Sequence, residues 1–288
     1  MFTKIKSYFS LIKFSHTVFA MPFAFLGFSL AILQEPDSFE WASLVFVILC
    51  MIFARNTAMS FNRFCDRDID KKNPRTTKRE IPSGKISLKN SIIFTIINAI
   101  LFIICSGFFN KTTLFLSPVA LFIILFYSYT KRFTFLSHFV LGISLAIAPA
   151  GAYLAITGHL DFAVIILSVC VFLWTAGFDI LYSLQDEEFD KANNLFSIPA
   201  RFGRVNSLVI SALVHFICSA GIIYINILLQ AGYLMWTGTA IFIALLIYQH
   251  LIIKKHDISR INLAFGTLNG IASVIYASLA IIEIFYTA

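Results

Sequence analysis

The sequence predicts an all-α fold, a polytopic membrane bundle of nine transmembrane helices. Three observations predict it. Of the 288 residues, 59% are hydrophobic and only 13% charged, with a mean hydropathy of +0.85; a soluble chain carries about 25% charged residues. Nine continuous apolar runs are long enough to cross a bilayer, which takes roughly 20 residues per helix. Lys and Arg, finally, are concentrated in alternate connections between those runs, as the positive-inside rule requires. An ordinary cytosolic enzyme, a secreted disulfide scaffold and a disordered chain are thereby excluded.

Run 14–33 follows Lys4, Lys6 and Lys13 and lacks a small-x-small cleavage site, so it reads as a retained span and not a signal peptide. Run 41–61 follows a short loop carrying Glu35, Asp37 and Glu40. Run 91–109 begins after the turn signal Pro82-Ser83-Gly84. Runs 113–130 and 133–157 are separated by Lys131-Arg132, and run 162–184 ends in a carboxylate-rich stretch. Runs 205–229, 231–253 and 262–286 complete the set. An outer-membrane barrel would show alternating ten-residue segments instead.

With the N-terminus cytoplasmic, 20 of the 22 Lys and Arg lie inside, Arg55 sits near the inner end of the second run, and only Lys111 lies outside. The C-terminus is then outside. The net charge of +7 reflects this topology and not nucleic-acid binding. We expect a single transmembrane domain over 1–288, and its two longest connections, 62–90 and 185–204, are both cytoplasmic. Cys50, Cys65, Cys105, Cys170 and Cys218 form no CxxC, four of the five sit in apolar runs, and most of them read as small apolar filler. His16, His138, His159, His215, His250 and His256 show no ligand spacing.

Function is to be sought in the two charged connections. Asn62, Asp66 and Asp70 are spaced i, i+4, i+8, which is one face of a helix. Asp179, Asp186 and Asp190 are spaced i, i+7, i+11, again one stripe. Asp179 lies inside the sixth run, where an unpaired carboxylate costs about 2.5–3.5 kcal/mol, so it must face a polar cavity or a partner. One acidic cluster at a helix end is ordinarily a solvated cap; two on the same membrane side suggest a cation between them. Oxygen-only ligands select hard cations, Mg²⁺ or Ca²⁺, and two stripes are suited to two Mg²⁺ ions astride a diphosphate. Arg75 and Arg79 are the diphosphate candidates among the nearby bases, since guanidinium forks match phosphate oxygens. Tyr127 and Lys131, at i and i+4, are either interfacial anchors or a hydroxyl and an ammonium aimed at phosphate.

These motifs resemble those of the UbiA family of intramembrane aromatic prenyltransferases. Asn62…Asp66…Asp70 is similar to its first NxxxDxxxD motif, and Arg75-Thr76…Arg79…Pro82-Ser83-Gly84 to the basic segment that follows. Tyr127…Lys131 resembles its YxxxK element, and Asp179…Tyr182…Asp186…Asp190 its second Asp-rich motif. The resemblance runs over nearly the whole chain. It implies a bacterial inner-membrane enzyme of quinone biosynthesis that transfers a polyprenyl group from polyprenyl diphosphate to 4-hydroxybenzoate or a related hydroxylated aromatic acid, with Mg²⁺ as cofactor. It implies Asp66, Asp70, Asp186 and Asp190 as metal ligands, with Asn62 completing the site. Arg75, Arg79 and Lys131 would neutralise diphosphate, and Tyr127 and Tyr182 would line the substrate. Asp179 is the candidate base or orienting group, and Arg55, two turns above Asn62, the candidate partner of an acceptor carboxylate; a snorkelling arginine is the alternative for Arg55.

The segments Gly177–Asp186 and Ser197–Gly203 also look like a branch acting on dihydroxynaphthoate in the futalosine route to menaquinone. The stretch Asn193-Asn194-Leu195-Phe196-Ser197 departs from the usual pattern in lacking a second Lys, so the acceptor stays open between the two. A cation-coupled transporter is the alternative from a different class; it would place acids near the midplane, whereas these cluster at one face. A lipid-headgroup phosphotransferase of the CDP-alcohol type is disfavoured by the absence of its DG…AR…G…D…D order. No protein partner is inferable.

Overall fold

The computed structural model describes residues 7, 8, 10–12 and 19–287. Lys4, Lys6, Lys13, His16 and the first part of the run 14–33 lie outside the described residues. Helix α1 (Met21–Gln34) starts after a turn at residues 19–20, with Pro22 in its first turn, and at 14 residues is shorter than a full span. It is followed by α2 (Trp41–Cys65), the short α3 (Arg67–Lys72), α4 (Leu88–Ser106), α5 (Lys111–Thr130), α6 (Ser137–Thr157) and α7 (Phe162–Ser183). A single 3-10 turn, Leu184–Asp186, leads to the short α8 (Glu187–Ala192), then α9 (Ile198–Leu228), α10 (Tyr233–Ile252) and α11 (Asn269–Thr287). Among the described residues, eight helices are long and apolar enough to cross a membrane, with α1 as a ninth, shorter apolar helix.

The bundle inverts the soluble pattern. On α4, Ile93, Ile96, Ile97, Ile100 and Ile104 are each 44–52% exposed, while Ser91, Thr95, Asn98 and Ser106 are buried. In lipid there is no water to satisfy polar groups, so they turn inward and bond across helices. Ser60 and Thr95 hydroxyls meet at 2.7 Å, and Asn56 Nδ2 donates to Asn98 Oδ1 at 2.9 Å, joining α2 to α4. Close approach elsewhere depends on glycine. A Cβ on Gly27 would collide with the backbone of Pro149, and one on Gly177 with the His215 ring. These contacts set α1 against α6 and α7 against α9, and α7 is packed between α6 and α9. Trp174, Phe23, Phe242 and Tyr276 fill the core between α1, α7, α10 and α11.

Three boundaries differ from the expectation. The helix expected over 205–229 begins at Ile198, where the Ser197 hydroxyl accepts from Ala200 N at 3.2 Å and Pro199 occupies the first turn. It breaks at Gly203, whose φ of 75° and ψ of 170° are open only to glycine. The last span opens with a π-helical turn, Leu263–Leu268. Asn269 holds that turn: Nδ2 donates to Ala264 O and Phe265 O, and Oδ1 accepts from Trp174 Nε1 and Gln249 Nε2. The first acidic stripe, lastly, is not on one uninterrupted helix. α2 ends at Cys65, and Asp66 turns the corner into α3 with φ −90° and ψ 7°. Bonds from Asp66 N to Asn62 O (2.9 Å) and Asp70 N to Asp66 O (2.7 Å) carry the i, i+4 spacing across the corner, so the stripe survives.

Candidate active site

The two acidic stretches come from the ends of α2 and α7, and the connection between α3 and α4 joins them. Asn73 Nδ2 donates to Asp186 Oδ1 at 3.0 Å. Arg75 grips the same carboxylate with two prongs, Nε to Oδ1 at 3.1 Å and Nη2 to Oδ2 at 2.6 Å, and its Nη1 donates to Tyr182 OH at 3.2 Å. Asp186 thereby faces a residue more than a hundred positions away, at the same end of the bundle as Asp66 and Asp70. The second stretch is tied to α5 as well: Phe196 N donates to Lys131 O at 2.8 Å, and Lys131 Nζ lies 3.0 Å from Asp190 Oδ1.

Each of four carboxylates meets its own base. Asp66 pairs with Arg132 (3.1 Å), Asp70 with Arg79 (2.7 Å), Asp186 with Arg75 and Asp190 with Lys131. Asn62 Nδ2 donates to Asp66 Oδ2 at 3.0 Å. Burial pushes the Asp66 carboxyl above the ordinary carboxylate range, against the pull of Arg132. Burial would lower the Arg75 guanidinium, but Asp186 outweighs it and holds Arg75 above its ordinary value. Among the described residues, no three Asp, Glu, His or Cys side chains close around a point to form a ready-made metal cage. The donor set nevertheless fits a hard cation. Asp70 and Asp190 are 4% and 0% exposed, and Oδ2 of each is buried without a hydrogen bond. Anionic oxygens kept from water and from donors are what a cation would satisfy.

This charged end opens into a cavity of about 490 Å³ that runs between α2, α5, α6 and α7. Asn62, Arg63, Arg79, Tyr127, Asp179 and Tyr182 line its polar end. Its walls beyond them are apolar, with Arg55 partway along and Val47, Leu154 and Leu160 further on. Leu116 and Val119 of α5 line it and are 45% and 51% exposed, so at α5 the wall also faces outward. Tyr182 stacks on Phe265 at 4.0 Å between ring centroids, and Phe265 packs edge-on against Phe178 and Phe19, which closes the opposite side.

All twelve residues singled out from the sequence lie on this cavity or on the charged cluster at its end. Lys131 and Arg75 contact carboxylates directly, in addition to any role toward phosphate. Four contributors were not anticipated. Asn73 and Arg132 bind Asp186 and Asp66; their positions beside Pro74 and Lys131 gave only adjacency as a signal. Arg63 is 3% exposed and lines the cavity within the fields of Arg79, Asp70, Glu80 and Asp66. His138, dismissed for want of ligand spacing, holds Asp179: Nδ1 lies 2.7 Å from Oδ2. This supplies the partner that an intramembrane carboxylate requires.

The sequence pattern of the UbiA prenyltransferase family matches residues 20–274. A 4-hydroxybenzoate octaprenyltransferase of Aliivibrio fischeri (strain MJ11) is 27% identical over 241 residues, 84% of each chain. One of Francisella tularensis subsp. mediasiatica is 26% identical over 274 residues, covering 95% of this chain and 96% of the other. Among solved structures, the apo structure of a UbiA homolog from Aeropyrum pernix K1 superposes with a TM-score of 0.83 at 29% identity, covering 93% of this chain and 98% of that one. A UbiA homolog from Archaeoglobus fulgidus bound to DMAPP and Mg²⁺ shares the fold, with a TM-score of 0.76 at 20% identity and coverage of 97% and 99%.

Proposed function

The chain belongs to the UbiA prenyltransferase family, and from that premise we propose that it transfers a polyprenyl group from polyprenyl diphosphate to 4-hydroxybenzoate or a related hydroxylated aromatic acid. The observation that carries this reading is the joining of two acidic stretches and three phosphate-suited bases at one end of a long apolar cavity. The whole chain acts as one domain in the bacterial inner membrane, with its charged end at the cytoplasmic leaflet.

Asp66, Asp70, Asp186 and Asp190 would hold Mg²⁺, with Asn62 orienting Asp66. Bound there, Mg²⁺ supplies Lewis-acid neutralisation of charge on the leaving diphosphate. Arg75, Arg79 and Lys131 turn their donors to the diphosphate oxygens and stabilise the same charge. The bond from chain C1 to oxygen breaks and its electron pair leaves with diphosphate. The acceptor carbon beside the hydroxyl bonds to C1 and gives up its ring proton, so the products are the prenylated acid, diphosphate and one proton. Asp179 lies in the cavity to orient the acceptor hydroxyl and take up a proton. Tyr127, Tyr182 and Phe265 keep water from the electron-deficient carbon, and Arg55 pairs with the acceptor carboxylate. The tail lies along the apolar walls and leaves for lipid past Leu116 and Val119.

Two experimental arms test this. Purified protein is incubated with Mg²⁺, a prenyl diphosphate and a panel that includes 4-hydroxybenzoate and dihydroxynaphthoate, and product masses are read. A mass equal to acceptor plus prenyl minus one hydrogen is expected for a hydroxylated aromatic acid. Absence of any such product, or ion flux in proteoliposomes without prenyl substrate, would overturn the reading.

A further inference from the structure

His138 lies in the first turn of α6, Asp179 sits about one turn from the end of α7, and Ile198 is the first residue of α9. The three meet. His138 is 2% exposed, with Nδ1 at 2.7 Å from Asp179 Oδ2, and Ile198 N donates to its Nε2 at 3.3 Å. A backbone N–H can only donate, so Nε2 must be the lone-pair nitrogen. The ring proton of neutral His138 is then on Nδ1, aimed at Asp179. Asp179 Oδ2 is then the acceptor of that bond.

The start of α9 is itself fixed, by the Ser197 hydroxyl on Ala200 N and by Phe196 N on Lys131 O. The imidazole therefore cannot turn over without leaving a buried backbone donor unpaired, which is costly. Asp179 in turn lines the polar end of the cavity beside Asn62 and Tyr182. The hydrogen bond fixes the direction of its carboxylate there.

We infer that His138 is a positioning residue for the prenyl-transfer reaction: a neutral imidazole, locked as the Nδ1–H tautomer by the Ile198 amide, that holds the Asp179 carboxyl group aimed at the hydroxyl of the aromatic acceptor. The inference rests on the function proposed above. His138 touches no substrate; it acts through Asp179.

Two isosteric substitutions separate this role from a purely structural one. In H138N the amide nitrogen takes the place of Nδ1 and still donates to Asp179, but the bond from Ile198 N is lost. In H138Q the side-chain oxygen takes the place of Nε2 and still accepts from Ile198 N, but the donor to Asp179 is lost. We expect H138A and H138Q to lower kcat roughly ten- to a hundredfold, the scale of one hydrogen bond to a charged group, with KM for prenyl diphosphate within about twofold of wild type. H138N should recover most of that loss, and H138A should add less than about twofold on a D179A background, because the two side chains act as one unit. Equal losses in H138N and H138Q, a better H138Q, or additive losses with D179A would overturn the inference. An inactive wild-type protein would refute the transfer reaction itself. The tautomer is read separately, from imidazole ¹⁵N shifts of the wild-type protein: Nδ1–H supports the inference, whereas Nε2–H or a doubly protonated ring overturns it.

Discussion

In the proposed reaction, the pairing of Asp66, Asp70, Asp186 and Asp190 each with its own base makes Mg²⁺ and diphosphate binding mutually dependent. Oδ2 of Asp70 is open to a cation, but a divalent ion arriving alone that also takes Asp186 or Oδ1 of Asp70 must separate Asp186 from Arg75 or Asp70 from Arg79 and leave that guanidinium group without its carboxylate. When diphosphate arrives as well, the bases pass to phosphate oxygens and the carboxylates are released. The bases are 21–33% exposed in their side chains, so each pair lies between an exposed one, worth about 0.2–1 kcal/mol, and a buried one, which costs about 3–5 kcal/mol to break. With about 1 kcal/mol for each of two pairs broken per ion, the coupling is about 2 kcal/mol, or roughly thirtyfold. Titration calorimetry of Mg²⁺ into detergent-solubilised protein, with and without a non-cleavable prenyl thiodiphosphate, measures it. The same factor must appear in the affinity of the analogue at low and saturating Mg²⁺. Arg75→Leu gives a sharper sign: it frees Asp186, so Mg²⁺ alone should bind about fivefold tighter while the analogue binds at least about tenfold weaker. Equal Mg²⁺ affinity with and without the analogue, or an Arg75→Leu protein in which both ligands weaken together, would refute the handover.

Three further outcomes follow from packing and charge. Arg55→Leu should raise KM for the aromatic acid by about tenfold or more, through loss of a charge-assisted bond, and leave KM for prenyl diphosphate nearly unchanged; steady-state kinetics with each substrate varied decides it. Gly177→Ala drives a methyl group into the His215 ring and should cost about 1–3 kcal/mol, visible as a lower Tm in detergent. Asn269→Leu orphans the buried donors of Trp174 and Gln249 and releases the π-helical turn, with an expected loss of about 1–3 kcal/mol per unsatisfied group in the same thermal assay.

What was legible in the sequence was what repeats locally. Apolar runs mark helices because a lipid-facing helix must be apolar over its whole length, and α7 was anticipated to within a residue. The i, i+4, i+8 stripe separated Asp66 and Asp70 from Asp68, which is exposed and, among the described residues, pairs only with its neighbour Arg67. Illegible were interactions fixed by tertiary packing. Nothing in the spacing of His138 announces Asp179, 41 residues on, and nothing beside Arg132 announces Asp66. The early start of α9 was hidden because Arg201 and Arg204 in its first seven residues interrupt the apolar run, while a serine cap and a proline set the helix start. Arg63 lay in a segment rich in bases, where one buried guanidinium looks like any surface one until the fold encloses it.

The central claim is that the acidic ends of α2 and α7 act together on one diphosphate. Its most direct measurement is Mg²⁺-dependent transfer of a radiolabelled prenyl group in membranes containing Asp66→Ala or Asp186→Ala protein, with folded protein confirmed by detergent chromatography. Transfer abolished in each variant alone, with the protein still folded in the membrane, is the predicted result; full turnover in both would contradict it.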